Sequence, residues 1–385
     1  SGVWKDSETW ASYGLTGIIA VIIAGIIFYS AMLAFAEMAS MFPKAGGPYI
    51  YTRGAFGEKM GRSVGFAYFV GYFLASIYLN ILLAQFTLLA IGLDTKENLV
   101  FFIMLFLFYN TLMYLLASFI NIRYLLYLIV LMIFIKIILL VITSIIGFVH
   151  FKGITYGFEV SVLGEAMAST IWAFLGAEVV LVFLDQLKEP TRDATLALII
   201  GTFIIIVLYA LITASIVVSG TDIANLLGSK ELKYAFSAIS TFGTALIVSI
   251  AVWRMSDIYV NEGFYPEIGD IKYLLIFILF GGLIGVGMVM STSIFYASIL
   301  VCILAILVPS VLIAGVIGVY GRLRLKALER AIYIPVGLPI FLIAIVLGVY
   351  LTISFILGFL AIPVILVTGL IIYIILHVLP IITSK

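Results

Sequence analysis

Long apolar runs, each closed by a short cluster of charges, glycines and prolines, set the pattern of this chain. Residues 18–34, 98–120, 124–149, 194–219 and 332–350 are five such runs, and none alternates with a polar face. A helix on the surface of a soluble domain keeps one polar side. About 20 predominantly apolar residues cross a bilayer as a helix. Breaks at charges, glycines and prolines divide the chain into eleven spans of this kind, near 15–42, 62–92, 98–120, 123–149, 165–186, 194–219, 234–260, 272–290, 292–318, 332–350 and 354–379. Residues 1–13 precede the first span and are too few to cross.

Composition agrees with the pattern. Of 385 residues, 65% are hydrophobic and 10% charged, where a soluble chain carries about 25% charged residues. The net charge of +1 gives no nucleic-acid footprint. Cys302 is the single cysteine and excludes an intrachain disulfide. His150 and His377 have no partners at metal-ligand spacing, so neither a metal nor a cofactor is expected. No cleavable signal sequence is expected before the first span, and the polar connections are too short to hold a soluble domain. The expectation is an all-α, multi-pass protein of the cell membrane, one transmembrane domain with the lipid bilayer as its solvent.

Basic residues orient it, because cytoplasmic loops are enriched in Lys and Arg. With the loop opened by Pro43 inside, fourteen basic residues face inward, among them Lys44, Arg53, Arg254 and Arg322. Five face outward: Lys5, Lys96, Lys152, Lys230 and Lys233. Lys136 is left in the bilayer. In the inner loop, Gly46, Gly47 and Pro48 followed by Tyr49 and Tyr51 predict a tight turn that opens a helix; an ordinary hairpin connection is the plainer reading.

"AEMASMFPKAGGPYIYTRGAFG" closely resembles the segment between the second and third helices of amino-acid transporters of the amino acid–polyamine–organocation superfamily. Weaker likenesses follow in the family's order. "STIWAFLGAEVVLVFLDQLKEPTRDA" resembles the sixth helix and the loop after it, "SAISTFGTALIVSIAVWRMSDIYVNEGFYP" the eighth, and "FINIRYLLYLIVLMIFIKIILLVI" the fifth with its central lysine. "SGVWKDSETWASYG" is similar to the stretch where the family's first helix breaks at mid-membrane; Ser1–Gly2 would be that break or an expression remnant.

The resemblance implies a leucine-transporter-like fold of about twelve helices, the first incomplete here. Two inverted five-helix halves, 1–149 and 165–318, would be followed by helices eleven and twelve over 332–379. It places the inner gate at Glu37, Pro43, Lys44, Gly46, Gly47, Tyr49 and Arg254. Helices interrupted at corresponding points of two inverted halves mark a transporter's site. The substrate would then meet Ser1, Gly2, Trp172, Ala173, Phe174, Leu175 and Gly176. An unwound turn exposes N–H groups at one half-helix end and carbonyls at the other, which suits the carboxylate and ammonium of an α-amino acid without charged side chains. For Gly176 close helix packing is an equally direct use.

Two ionisable residues stand inside spans, where charge is costly. Lys136 is the only charge in 124–149 and must turn toward the protein. It stands where sodium-coupled relatives hold an ion, so it could replace sodium or serve as a static cation. Glu178 matches the acid of the family's Gly-Phe-Glu pattern, with Ala177 in place of the aromatic. A proton-exchanging carboxyl and a buried structural acid both fit it. A secondary transporter of amino acids by alternating access, coupled to protons or working as an exchanger, is the expected function. A sodium symporter and a non-transporting sensor of the same fold are its alternatives. No Ser/His pair or paired aspartates support an enzyme.

Overall fold

The computed structural model describes residues 3–153, 157–263, 269–324, 333–334, 337–360 and 362–383. Its first half holds α1 (Val3–Ala11), α2 (Leu15–Met41), α3 (Pro48–Phe56), α4 (Glu58–Ala90), α5 (Leu99–Phe119) and α6 (Ile122–Val149). Then come α7 (Leu163–Phe174), α8 (Pro190–Leu196), α9 (Thr202–Ser219), α10 (Ile223–Leu227), α11 (Lys230–Asn261) and α12 (Asp270–Met290). The chain closes with α13 (Thr292–Leu307), α14 (Ala314–Arg324), α15 (Gly337–Leu357) and α16 (Pro363–Thr383). Eleven helical spans among the described residues are long and apolar enough to cross a bilayer, the number the sequence pattern predicts.

Local chemistry sets the ends. α2 stops at Phe42, whose successor Pro43 disfavours helical backbone before it. Gly47, at φ 56°, then turns the chain so that Pro48 can occupy the first position of α3. The side chains of Asn121, Asp222, Ser229 and Ser291 cap α6, α10, α11 and α13 by accepting a backbone N–H of the first turn. Pro309 lies in a π-helical turn, Val308–Ile313, between α13 and α14, a form of bulge that relieves the hydrogen bond proline cannot make.

The last two spans run further along the chain than the sequence reading places them. The helix continues through 351–353, where the Thr352 hydroxyl donates to the Gly348 carbonyl at 2.8 Å. The turn comes at 358–360 instead, and Pro363 opens α16.

Packing sorts most spans into two groups. α4, α5, α11 and α12 pack on one another, with α4 and α11 in contact along much of their length. α1, α2, α7 and α9 form the second group. α6 touches both, through α9 and α11, and α13 and α14 reach α4 and α2 respectively. Small residues allow close approach at these seams: Gly25 lies against Ile206 and Phe174, and Gly285 sits under the Phe106 ring. The site lies between the groups.

Candidate functional site

α7 ends at Phe174 although apolar sequence continues. Leu175 is extended (φ −62°, ψ 135°), Gly176 takes a left-handed conformation (φ 109°), and only 3₁₀ turns follow, at Ala177–Val182 and Leu184–Gln186. The interruption falls within the five residues the sequence analysis singled out. It leaves the last carbonyls of α7 without partners in their own helix. In a membrane such backbone is tolerated where it faces protein or a cavity, and here it faces a cavity of about 420 Å³.

Trp172, Ala173, Phe174, Leu175 and Gly176 all line this cavity, and Lys136 of α6 lies on another of its walls. The Trp172 ring stands edge-on to Tyr78, centroids 5.3 Å apart. Phe174 also has a packing role, its ring being 6.2 Å from Phe28 and 5.6 Å from Tyr209. The Lys136 ammonium stands 6.0 Å from the centre of the Tyr209 ring, within range of a cation–π contact. Ser1 and Gly2, expected to complete the site from the first helix, lie outside the described residues.

Glu178 is fully buried and is not on the cavity wall. Its Oε1 accepts from Ser310 Oγ at 2.7 Å, Tyr72 OH at 3.0 Å and Tyr68 OH at 3.5 Å. Oε2 accepts from the Gly176 N–H at 3.1 Å. These donors satisfy a carboxylate's lone pairs and tie the break to α4 and to the π turn. Tyr72 belongs to both the cavity wall and the Glu178 cluster.

At the inner end, the Gly46 N–H donates to the Leu181 carbonyl at 3.2 Å, joining the Pro43 loop to the 3₁₀ segment after the break. Lys44 pairs with Glu262, just past α11. Arg53 donates to the same carboxylate at 2.5 Å and to Tyr49 OH at 2.8 Å. The Lys44 ammonium, with Arg53 beside it, holds the Glu262 carboxyl below the usual range of a glutamate, and Glu262 in turn raises Arg53. Arg254 pairs with Asp185 across the two groups. Glu37, 2% exposed, pairs with Arg322 of α14, whose guanidinium stacks 3.7 Å from the Tyr333 ring centre. Glu37 thus ties α2 to α14, apart from the Lys44–Glu262 cluster.

The outer end is fastened by hydrogen bonds and an ion pair. Trp10 Nε1 donates to the Ser169 carbonyl at 3.3 Å and Tyr13 OH to Glu165 at 3.0 Å. One ion pair, Lys233–Glu8 at 2.5 Å, joins α11 to α1. Lys233 and Glu262 lie at opposite ends of a 32-residue helix, roughly 48 Å long at 1.5 Å per residue. Lys233, assigned to the outer side, and Lys44 and Arg53, assigned to the inner side, therefore sit at opposite ends of α11.

A family model described as amino acid permease matches residues 7–382. The chain belongs to the amino acid permease family. Curated relatives include the cadaverine/lysine antiporter of Escherichia coli K12, 24% identical over 298 residues, covering 70% of this chain and 65% of that protein. The putrescine transporter PotE of the same strain is 23% identical over 300 residues, covering 70% and 66%. The aligned part thus spans about two thirds of the relatives' length. Among solved structures, a mutant of the Eremococcus coleocola manganese transporter matches at TM-score 0.62 and 15% identity, over 99% of this chain and 91% of that one. The same transporter bound to an aromatic bis-isothiourea compound matches at 0.57 and 15%, over 99% and 89%. At that identity the likeness concerns fold alone, and the fold is the leucine-transporter-like one that the resemblance implied.

Sequence reasoning on this permease missed Glu262, Arg53 and Arg322 as partners in the inner network. A signal existed for Glu262, an acid immediately after a long span and beside Gly263. Arg322 had none, since its partner Glu37 is 285 residues away.

Proposed function

We propose that this chain is a secondary transporter that moves an α-amino acid across the bilayer by alternating access, coupled to protons and not to sodium. The observation that carries the proposal is the interrupted helix at Leu175–Gly176, open to a cavity whose other wall carries Lys136. The free carbonyls of α7 suit the substrate's ammonium; the Gly176 N–H is committed to Glu178, so the carboxylate is assigned to the break of the first helix at Ser1 and Gly2. Trp172 covers the bound substrate from outside, backed by Tyr78.

Lys136 does the work of a coupling ion. Charged, it locks α6 to the first helix at the break assigned to Ser1 and Gly2; on losing its proton it frees that helix to move. Glu178 serves the same cycle, since its hydroxyl partners Ser310 and Tyr72 can turn from donors to acceptors when the carboxyl is protonated. Lys44, Arg53, Glu262, Asp185 and Arg254 form the inner gate. Exchange of one solute for another is a second reading, favoured by the antiporter among the relatives.

Uptake into proteoliposomes tests the proposal. It should be unchanged when choline replaces sodium, rise with an inward proton gradient, and be lost or uncoupled in Lys136→Ala. Full pH-dependent uptake by Lys136→Ala would make the lysine structural and pass the role to Glu178. Ligands lacking the α-amino or the α-carboxyl group should bind far more weakly than the parent; equal binding would remove the break as the site.

A further inference from the structure

The cavity walls constrain what lies beyond the α-carbon of a ligand. Around the polar break they are largely hydrocarbon, with Leu79, Leu140, Ile204, Val248 and Ile306 among them. Among the described lining residues the only charged side chain is a cation, Lys136, and there is no acid. Glu178, outside the lining, stands behind Tyr72 with no exposed surface and with donors on both oxygens.

Resting on the reading that the two helix breaks hold the α-amino and α-carboxylate groups, we infer that this site selects zwitterions with uncharged apolar side chains and rejects diamines and cationic amino acids. A lysine side chain placed here would bring a second ammonium into apolar surroundings beside Lys136, without a carboxylate to receive it. Burying an unpaired charge is strongly unfavourable, and like charges at short range add to the cost. A diamine does worse, because it carries two ammonium groups and no carboxylate. A glutamate side chain gains one cation but must place its oxygens against the same hydrocarbon walls. A branched aliphatic side chain loses nothing polar and buries its surface, and about 420 Å³ lies within the size range of small-molecule sites. The selectivity thus differs from that printed in the names of the cadaverine/lysine and putrescine relatives.

The test is competition in proteoliposomes containing the full chain, with radiolabelled leucine as the tracer. Leucine, valine, lysine, glutamate, cadaverine and putrescine are the competitors, and the same set is measured as thermal protection of the detergent-solubilised protein. Leucine and valine are expected to compete at concentrations at least tenfold below those of lysine and glutamate, with no competition or protection from the diamines. Lysine, glutamate or either diamine acting within threefold of leucine would overturn the inferred selectivity and leave the transporter reading standing. Absence of uptake and of protection for every amino acid and both diamines would instead overturn the transporter reading itself.

Discussion

Two walls of the central cavity are built on opposite plans. α11 runs unbroken for 32 residues, capped by Ser229 and packed along α4. α7 stops after 12 residues, and its continuation is two short 3₁₀ turns. On α11 Thr244 lines the cavity, and its hydroxyl donates to the Ser240 carbonyl of its own helix at 3.1 Å. The broken wall has backbone groups to offer instead. A bilayer penalises charged side chains but not a peptide dipole held in protein. One wall can therefore be frame and the other recognition, and the proposed function assigns them so.

The largest effect should come from mending the break. Gly176 has φ 109°, a conformation that costs a β-branched residue far more than glycine. A Cβ there would meet the Tyr72 hydroxyl only at 3.9 Å, so the penalty is conformational and not steric. Gly176→Val is expected to weaken amino-acid binding at least tenfold, from backbone strain of about 1–3 kcal/mol and displacement of the N–H that faces Glu178. Equilibrium binding to solubilised protein would show this. Binding within threefold of the parent would mean that the interruption does not shape the site.

This contrast explains what was legible in the sequence. α11 follows from its apolar run, read as 234–260; its first turn, from Lys230 and capped by Ser229, lies before that run. The break at Leu175–Gly176 lies in another apolar run, where hydropathy sees no boundary; the family likeness and Gly176 mark it. Glu178 is visible as a charge in a span, but its partners Tyr68, Tyr72 and Ser310 come from 106 to 132 residues away, and no periodicity encodes such distances. The bounds of α15 and α16 lie four to nine residues beyond the sequence reading, because 351–357 carries no charge, glycine or proline to mark an end.

A smaller effect is expected at the inner end of α11. Glu262 has its carboxyl lowered by Lys44 and Arg53. A lowered carboxyl contributes its stability above the ordinary glutamate value and loses it only as pH falls through the lowered one. Between pH 5 and 8 this tie should therefore stay constant. Lys44 is largely exposed, so screening limits the pair to about 1 kcal/mol, roughly a fivefold change in the population with the inner end open. Glu262→Gln should shift that population, read from cysteine accessibility near Arg254, by a similar factor at pH 5 and pH 8. The proposed coupling residues differ in this respect: replacing Lys136 should change the shape of the pH profile. A Glu262→Gln profile that changes shape between those limits would place part of the coupling at the gate.

The smallest effect sharpens the comparison from the frame's side. Ser229 accepts the Leu232 N–H at 3.0 Å at the outer start of α11, beyond the ion pair of Lys233 with Glu8. Removing such a cap costs about 1 kcal/mol, because the N–H it satisfied can turn to water at an exposed helix end. If α11 is frame, Ser229→Ala should lower the thermal unfolding temperature by only a few degrees and leave ligand affinity and uptake rate within a factor of two. The mechanical reason is that a frayed first turn loosens the helix end while the segment along the cavity, from Ser240 to Val248, stays clamped between α4 and α6. A loss of affinity of tenfold or more, equal to that of Gly176→Val, would mean that strain passes along the whole of α11 into the cavity, and the division into a frame wall and a recognition wall would fail.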